Sequence, residues 1–217
     1  MNAIVDDDAI TRAGLDLIDV ARAFVVGGAT FIQLRAKKRS SAWMLETADA
    51  LLRASRYGGQ ARLGEVVQII INDRADVARM SGAAGVHVGQ EDLAPEAVRA
   101  LVGPDGIIGF STHSVAQLDA AVTRPIDYVA VGPIFGTASK DTGYDAVGLR
   151  LVEEAAKRAQ PRGLGVVAIG GITLDRAPDV IRAGATSVAI ISDLLATGDP
   201  RGRVSQYLDR LAQVGGV

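Results

Sequence analysis

The stretch GGATFIQL (27–34) runs two glycines and an alanine straight into a nearly continuous apolar segment. The same join recurs in GAAGVHV (82–88) and GATSVAI (184–190), each after a segment of helical period. Glycine at a helix C-cap followed at once by a strand is the chemistry of an αβ loop. Working outward, β-branched runs stand at regular spacing: AIV (3–5), TFIQL (30–34), VVQIII (66–71), GVHVG (85–89), IIGFS (107–111), YVAVG (128–132), GVVAIG (165–170) and SVAII (187–191). Such near-continuous runs have both faces covered, as in a parallel sheet. Between them, Leu15, Ile18, Ala21 and Val25, then Met44, Ala48, Leu51 and Leu52, then Leu149, Val152, Ala155 and Ala159 keep a helical period. Eight strand–helix units predict a (β/α)8 barrel, residues 1–217 forming one domain. An open doubly wound sheet is the alternative, but AIVDDDAI stands after the first strand where that fold carries G-x-G-x-x-G. YGGQARLGE (57–65) reads as a polar surface insertion.

Composition narrows the function. With 217 residues, 48% of them hydrophobic, the chain can bury the core of one barrel. Its formal charge is -2 with Lys and Arg spread along the chain, so no basic stripe for nucleic acid is present. The absence of cysteine excludes disulfides, thiolate catalysis and Cys-ligated zinc, and two histidines argue against a His-rich metal site. The apolar runs are too short to span a membrane, and MNAIVDDD lacks the features of a signal peptide. These features predict a cytoplasmic protein with small-molecule partners and no membrane association. A homodimer is compatible with a barrel of this size.

Barrel active sites collect where strands end at the C-terminal face. Polar groups do follow each run: Asp6; Gln33, Arg35 and Lys37; Asn72 and Asp73; Gln90 and Asp92; Ser111, Thr112 and His113; Gly170 and Gly171; Ser192. After the sixth run comes VGPIFGTASKDTG (131–143), whose Thr137, Ser139 and Lys140 between glycines suit an anion better than a bare turn. Taken singly, Asn72 with Asp73 reads more often as a helix N-cap and first-turn acid than as ligands, Asp92 and Ser192 read also as caps, and His87 between valines reads better as a satisfied core histidine. Their coincidence on one rim favours a site.

The chemistry is coherent. Asp73 and Asp92 can hold one Mg2+, which takes one or two protein carboxylates and completes its shell with water and phosphate oxygens. With Arg35, Lys37 and Lys140 the set sums to about +3, matching a diphosphate leaving group of roughly -3. Gly170, Gly171, Ile191 and Ser192 follow strands seven and eight, where this fold binds phosphate through backbone N–H groups. Two anion sites imply two phosphorylated substrates.

These residues carry a resemblance. QLRAK (33–37), IINDR (70–74), GVHVGQED (85–92), IGFSTHS (108–114), VGPIFGTASK (131–140) and VAIGGI (167–172) resemble, in order, the motifs of the thiamine-phosphate synthase family. The resemblance implies condensation of an aminopyrimidine diphosphate with a thiazole phosphate, the diphosphate departing first to leave a pyrimidine cation. It assigns Gln33, Arg35, Lys37 and Asn72 to the pyrimidine diphosphate, Asp73 and Asp92 to Mg2+, and Ser111 to the pyrimidine ring. Lys140 falls to the pyrophosphate, Thr137 and Ser139 to the thiazole substrate, and Gly171, Ile191 and Ser192 to its phosphate. Three positions depart from the family pattern: Ala36 stands for an acid, Gly136 for proline and Ser139 for threonine. The rival readings are a thiazole tautomerase using His113 as acid and base, in which Asp73, Asp92, Lys37 and Lys140 would be idle, and a non-catalytic barrel that binds phosphorylated ligands.

Overall fold

The computed structural model describes residues 1–57, 66–136 and 145–215. Its strands are β1 Asn2–Asp6, β2 Phe31–Arg35, β3 Gln68–Asn72, β4 Gly85–Val88, β5 Ile107–Thr112, β6 Tyr128–Val131, β7 Gly165–Ile169 and β8 Ser187–Ile190. All eight expected strands are present, and they pair in chain order as one closed parallel barrel with β8 returning to β1. The helices are α1 Asp7–Arg12, α2 Leu17–Val26, α3 Ser41–Tyr57, α4 Ala75–Ser81, α5 Pro95–Val102, α6 Val115–Ala121, α7 Gly148–Ala159, α8 Ala177–Arg182 and α9 Pro200–Ala212. The expected (β/α)8 fold is therefore the observed one. No described helix is long and apolar enough to cross a membrane.

The two-residue period of a strand divides the core. Ala3, Val5, Ile32, Leu34, Ile69, Ile71, Val86, Val88, Ile108, Val129, Val166, Ala168, Val188 and Ile190 face the helices and join the large apolar layer. Ile4, Tyr128, Ala130, Val167 and Ala189 form a second, smaller cluster inside the barrel. On the same inward period lie Asn2, Gln33, Asn72 and His87, all buried. The lumen thus carries these amides and the imidazole on strands β1–β4, beside Ile4 and Ile70, and is mainly apolar toward β6–β8.

The glycine joins behave as their chemistry requires. Gly82 caps α4 in the left-handed region (φ 72°), while Gly28 (φ 100°) and Gly184 (φ 106°) take that conformation one residue beyond the caps of α2 and α8. One expectation fails: Leu15 is not on α2 but exposed before Asp16, whose carboxylate accepts from Asp19 N–H and starts the helix. The buried stripe of α2 is Val20, Ala21, Phe24 and Val25 instead.

Gly109 has a different task. A Cβ there would fall 2.0 Å from Tyr128 Cζ and 2.5 Å from His87 Nδ1, so the missing side chain admits two large rings to a narrow lumen. We expect Gly109→Ala to destabilise the barrel by about 1–3 kcal/mol through overpacking. Urea unfolding measures it, and an unchanged midpoint would contradict the packing described.

Candidate active site

At the strand C-termini, β1 and β2 are tied by a row of ion pairs. Asp6 caps α1 through Ala9 N–H (2.8 Å) and accepts from Arg35 Nη1 (2.5 Å). Asp7 receives both Arg39 Nε and Nη2, at 2.8 and 3.0 Å, and Asp8 meets Lys38 at 3.1 Å. This explains AIVDDDAI: the three acids clasp the basic run that follows β2. Arg35 is therefore held at the mouth by Asp6, a partner the sequence-based charge balance omitted, and that balance drops to about +2. The Asp8–Lys38 pair is exposed and therefore screened by solvent.

Inside, a polar ladder climbs from the lumen floor. Asn2 Nδ2 donates to Gln33 Oε1 (3.1 Å), and Gln33 Nε2 donates to Asn72 Oδ1 (2.7 Å). Among the described residues, Asn72 Nδ2 and Asn2 Oδ1, both buried, have no hydrogen-bond partner. An orphaned donor at the upper end, beside Asp73, is a group awaiting an acceptor. The β1 end of the ladder was not foreseen, because Asn2 stands outside the first apolar run.

Asp73 and Asp92 come together from the ends of β3 and β4. Neither caps a helix: α4 and α5 have Arg74 and Ala94 at their N-caps, without side-chain bonds. Asp73 is the one described non-glycine residue with positive φ (64°), its N–H donating to His87 O at 2.7 Å. That backbone turns its carboxylate toward Lys37, whose Nζ lies 3.2 Å away. Asp92 Oδ2 accepts from Gly89 N–H at 2.7 Å, which fixes its carboxylate over the β4 exit. Burial, followed by the repulsion of Asp92, raises the Asp73 carboxyl above its ordinary value of 3.8, with Lys37 opposing. Two hard oxygen donors that repel one another form a site suited to a cation. Among the described residues no group of three or more His, Asp or Glu gathers for a metal.

Ser111, at the end of β5, completes this side. Its Oγ lies 2.8 Å from His87 Nε2, and its carbonyl accepts from Gln90 Nε2 at 2.6 Å. His87 Nδ1 in turn is 3.0 Å from Tyr128 OH. His87 is indeed a buried, satisfied histidine, as expected, yet it also touches a candidate site residue. Periodicity could not show a contact whose partners are 24 and 41 positions away. His113 Nδ1 donates to Gly132 O (2.5 Å) and supports the β6 exit.

Across the mouth, Gly170 (φ 101°) and Gly171 (φ 61°) follow β7. A Cβ on Gly171 would fall 2.6 Å from Gly136 O, so this crossing requires glycine. On the neighbouring strand β8, Ile191 follows the last strand residue and leads to Ser192 at the start of a 3₁₀ turn, Ser192–Leu194. The structure thus gathers Gln33, Arg35, Lys37, Asn72, Asp73, Asp92 and Ser111 on one side of the mouth and Gly171, Ile191 and Ser192 on the other. Thr137, Ser139 and Lys140 lie outside the described residues. Ala36 is buried, and its neighbours find acids elsewhere, Arg35 in Asp6 and Lys37 in Asp73.

The family model described as thiamine monophosphate synthase matches residues 1–194. A thiamine-phosphate synthase of Koribacter versatilis is 43% identical over 211 residues, 96% of this chain and 94% of that one. One from Roseiflexus castenholzii is 40% identical over 197 residues, 91% of this chain and 82% of that one. Among solved structures, thiamine phosphate pyrophosphorylase from Pyrococcus furiosus superposes with a TM-score of 0.83 at 27% identity, covering 98% of this chain and 96% of that one.

The Asp73–Asp92 repulsion has a measurable sign. Without divalent ions at pH 7, Asp73→Asn should melt at a higher temperature than the parent, and asparagine tolerates the positive φ that alanine would strain. Below the raised folded value and above 3.8, the parent's folded state holds a proton that the unfolded chain has released. The parent therefore gains stability relative to the variant as pH falls through that window, and the gap closes. Calorimetry from pH 7 to 4 tests this; a variant less stable at pH 7 would show that burial and the charge of Asp92 do not outweigh Lys37 at Asp73.

Proposed function

The chain belongs to the thiamine monophosphate synthase family, and we propose that it joins 4-amino-2-methyl-5-hydroxymethylpyrimidine diphosphate to thiazole phosphate, releasing pyrophosphate and giving thiamine phosphate. The observation that carries this reading is the pair Asp73 and Asp92, pressed together beside Lys37 and within the same mouth as Ser111. A transferase that expels a diphosphate needs positive charge where the leaving group departs and no nucleophilic side chain. The missing cysteine is then no obstacle.

In this reading Asp73 and Asp92 hold Mg2+, which when bound offsets the charge of the departing diphosphate. Lys37, beside Asp73, faces the same anion, and Arg35, held by Asp6, borders it. Asn72 Nδ2, orphaned and buried, donates to a substrate acceptor. Gln33 lies beneath it and reads the pyrimidine, with Ser111 at the ring. Lys140 meets the pyrophosphate and Thr137 and Ser139 the thiazole, while Gly171, Ile191 and Ser192 receive the thiazole phosphate. The C–O bond breaks first, leaving a pyrimidine cation that the thiazole nitrogen captures. One barrel domain carries every step, and the protein works in the cytoplasm without nucleic-acid or membrane partners. The tautomerase reading draws no support from His113, whose Nδ1 proton is committed to Gly132 O.

Incubation with both substrates and Mg2+ should yield thiamine phosphate by mass spectrometry, and EDTA should abolish it. Asp73→Asn should lower turnover by at least ~10²-fold, on the order of 3 kcal/mol of transition-state stabilisation. Full activity in EDTA or in that variant would remove the metal from the mechanism.

A further inference from the structure

Tyr128, His87 and Ser111 form a second line of hydrogen bonds from the barrel interior to the mouth, and its direction can be deduced. Tyr128 is buried, and burial together with nearby Asp127 raises its phenol above the ordinary value, so the O–H keeps its proton. Among the described residues its hydroxyl has one hydrogen-bond partner, His87 Nδ1 at 3.0 Å. A buried hydroxyl donates where an acceptor is in reach. Nδ1 is then the bare nitrogen, Nε2 carries the proton, and Nε2 donates to Ser111 Oγ at 2.8 Å. Once Oγ accepts from His87, the hydroxyl hydrogen of Ser111 cannot lie on that line and points elsewhere.

We propose that His87 and Tyr128 are positioning residues that fix Ser111 as a hydrogen-bond donor toward the substrate, so that the site selects a ring nitrogen bearing a lone pair and disfavours one bearing N–H. The packing reads as built for this. The two rings lie 5.6 Å apart between centroids and within 20° of parallel. Gly109 is what allows them together, since a Cβ there would reach within 2.3 Å of Tyr128 OH. The proposal rests on the synthase reading for its substrate: an aminopyrimidine offers a bare ring nitrogen, whereas the corresponding oxopyrimidine carries N–H beside its carbonyl. A donor facing N–H leaves both groups unpaired, which disfavours that ring by on the order of 10-fold or more.

The first test needs no turnover. Protein labelled with 15N-histidine and observed at pH 8 gives signals from two rings, His87 and His113, the latter identified by its loss in His113→Gln. His87 should show protonated Nε2 and bare Nδ1, and Tyr128→Phe should shift it toward a mixture of tautomers. A His87 ring protonated at Nδ1 in the parent overturns the proposal, whatever the enzyme does. The second test compares kcat/KM for the aminopyrimidine diphosphate and its oxo analogue. Tyr128→Phe should reduce the preference for the amino form by about 10-fold while the KM for thiazole phosphate stays the same. An unchanged preference alongside an altered tautomer would refute the selectivity role. If no thiamine phosphate forms at all, the synthase reading fails while the tautomer result stands.

Discussion

Closure of eight parallel strands forces every second side chain into a lumen only a few side chains wide, and most of what distinguishes this protein answers that constraint. A barrel of this size fills its interior with packed residues and leaves no pore. Here the β6–β8 half does so with Ala130, Val167 and Ala189 around Ile4. The β1–β5 half instead holds amides, an imidazole and a hydroxyl, which are tolerable only because they bond to one another. Two chains result, Asn2–Gln33–Asn72 and Tyr128–His87–Ser111, and each delivers a polar group to the mouth. The interior thus acts as the support for the rim.

Above that support the rim is organised by charge. Asp6, Asp7 and Asp8 bind Arg35, Arg39 and Lys38, so much of the basic run after β2 is held by β1 and α1. Lys37 points instead to Asp73. The acids therefore divide into two kinds. Those of β1 and α1 are matched by cations within the chain, while Asp73 and Asp92 face each other and are incompletely balanced. Asp73, whose carboxyl is raised by burial and by the charge of Asp92, is the kind of carboxylate that functional sites gather.

The barrel was legible because its signals are local and repeated: apolar runs of strand length, and Gly-Ala joins before them. Strand boundaries shifted by a residue or two, as with VVQIII, whose first two valines precede β3. Residues at strand ends were legible for the same reason, since the fold assigns that end its chemistry. Pairings were not. Nothing in AIVDDDAI announces that its acids hold residues about thirty positions away, and nothing near YVAVG announces that Tyr128 reaches His87. The capping interpretation of Asp73 and Asp92 was open in sequence and closes only when the backbone shows Asp73 left-handed and Asp92 bonded to Gly89.

The empty position at Gly109 also links three strands in heredity. A residue with a side chain at 109 is compatible with this barrel only if 87 or 128 becomes smaller, and a shrunken ring at either place leaves a void that a larger residue at 109 can fill. Positions 87, 109 and 128 should therefore vary together among relatives. Lineages that keep glycine between β4 and β6 should be those that keep the histidine and tyrosine, and lineages that lose one should have repacked all three.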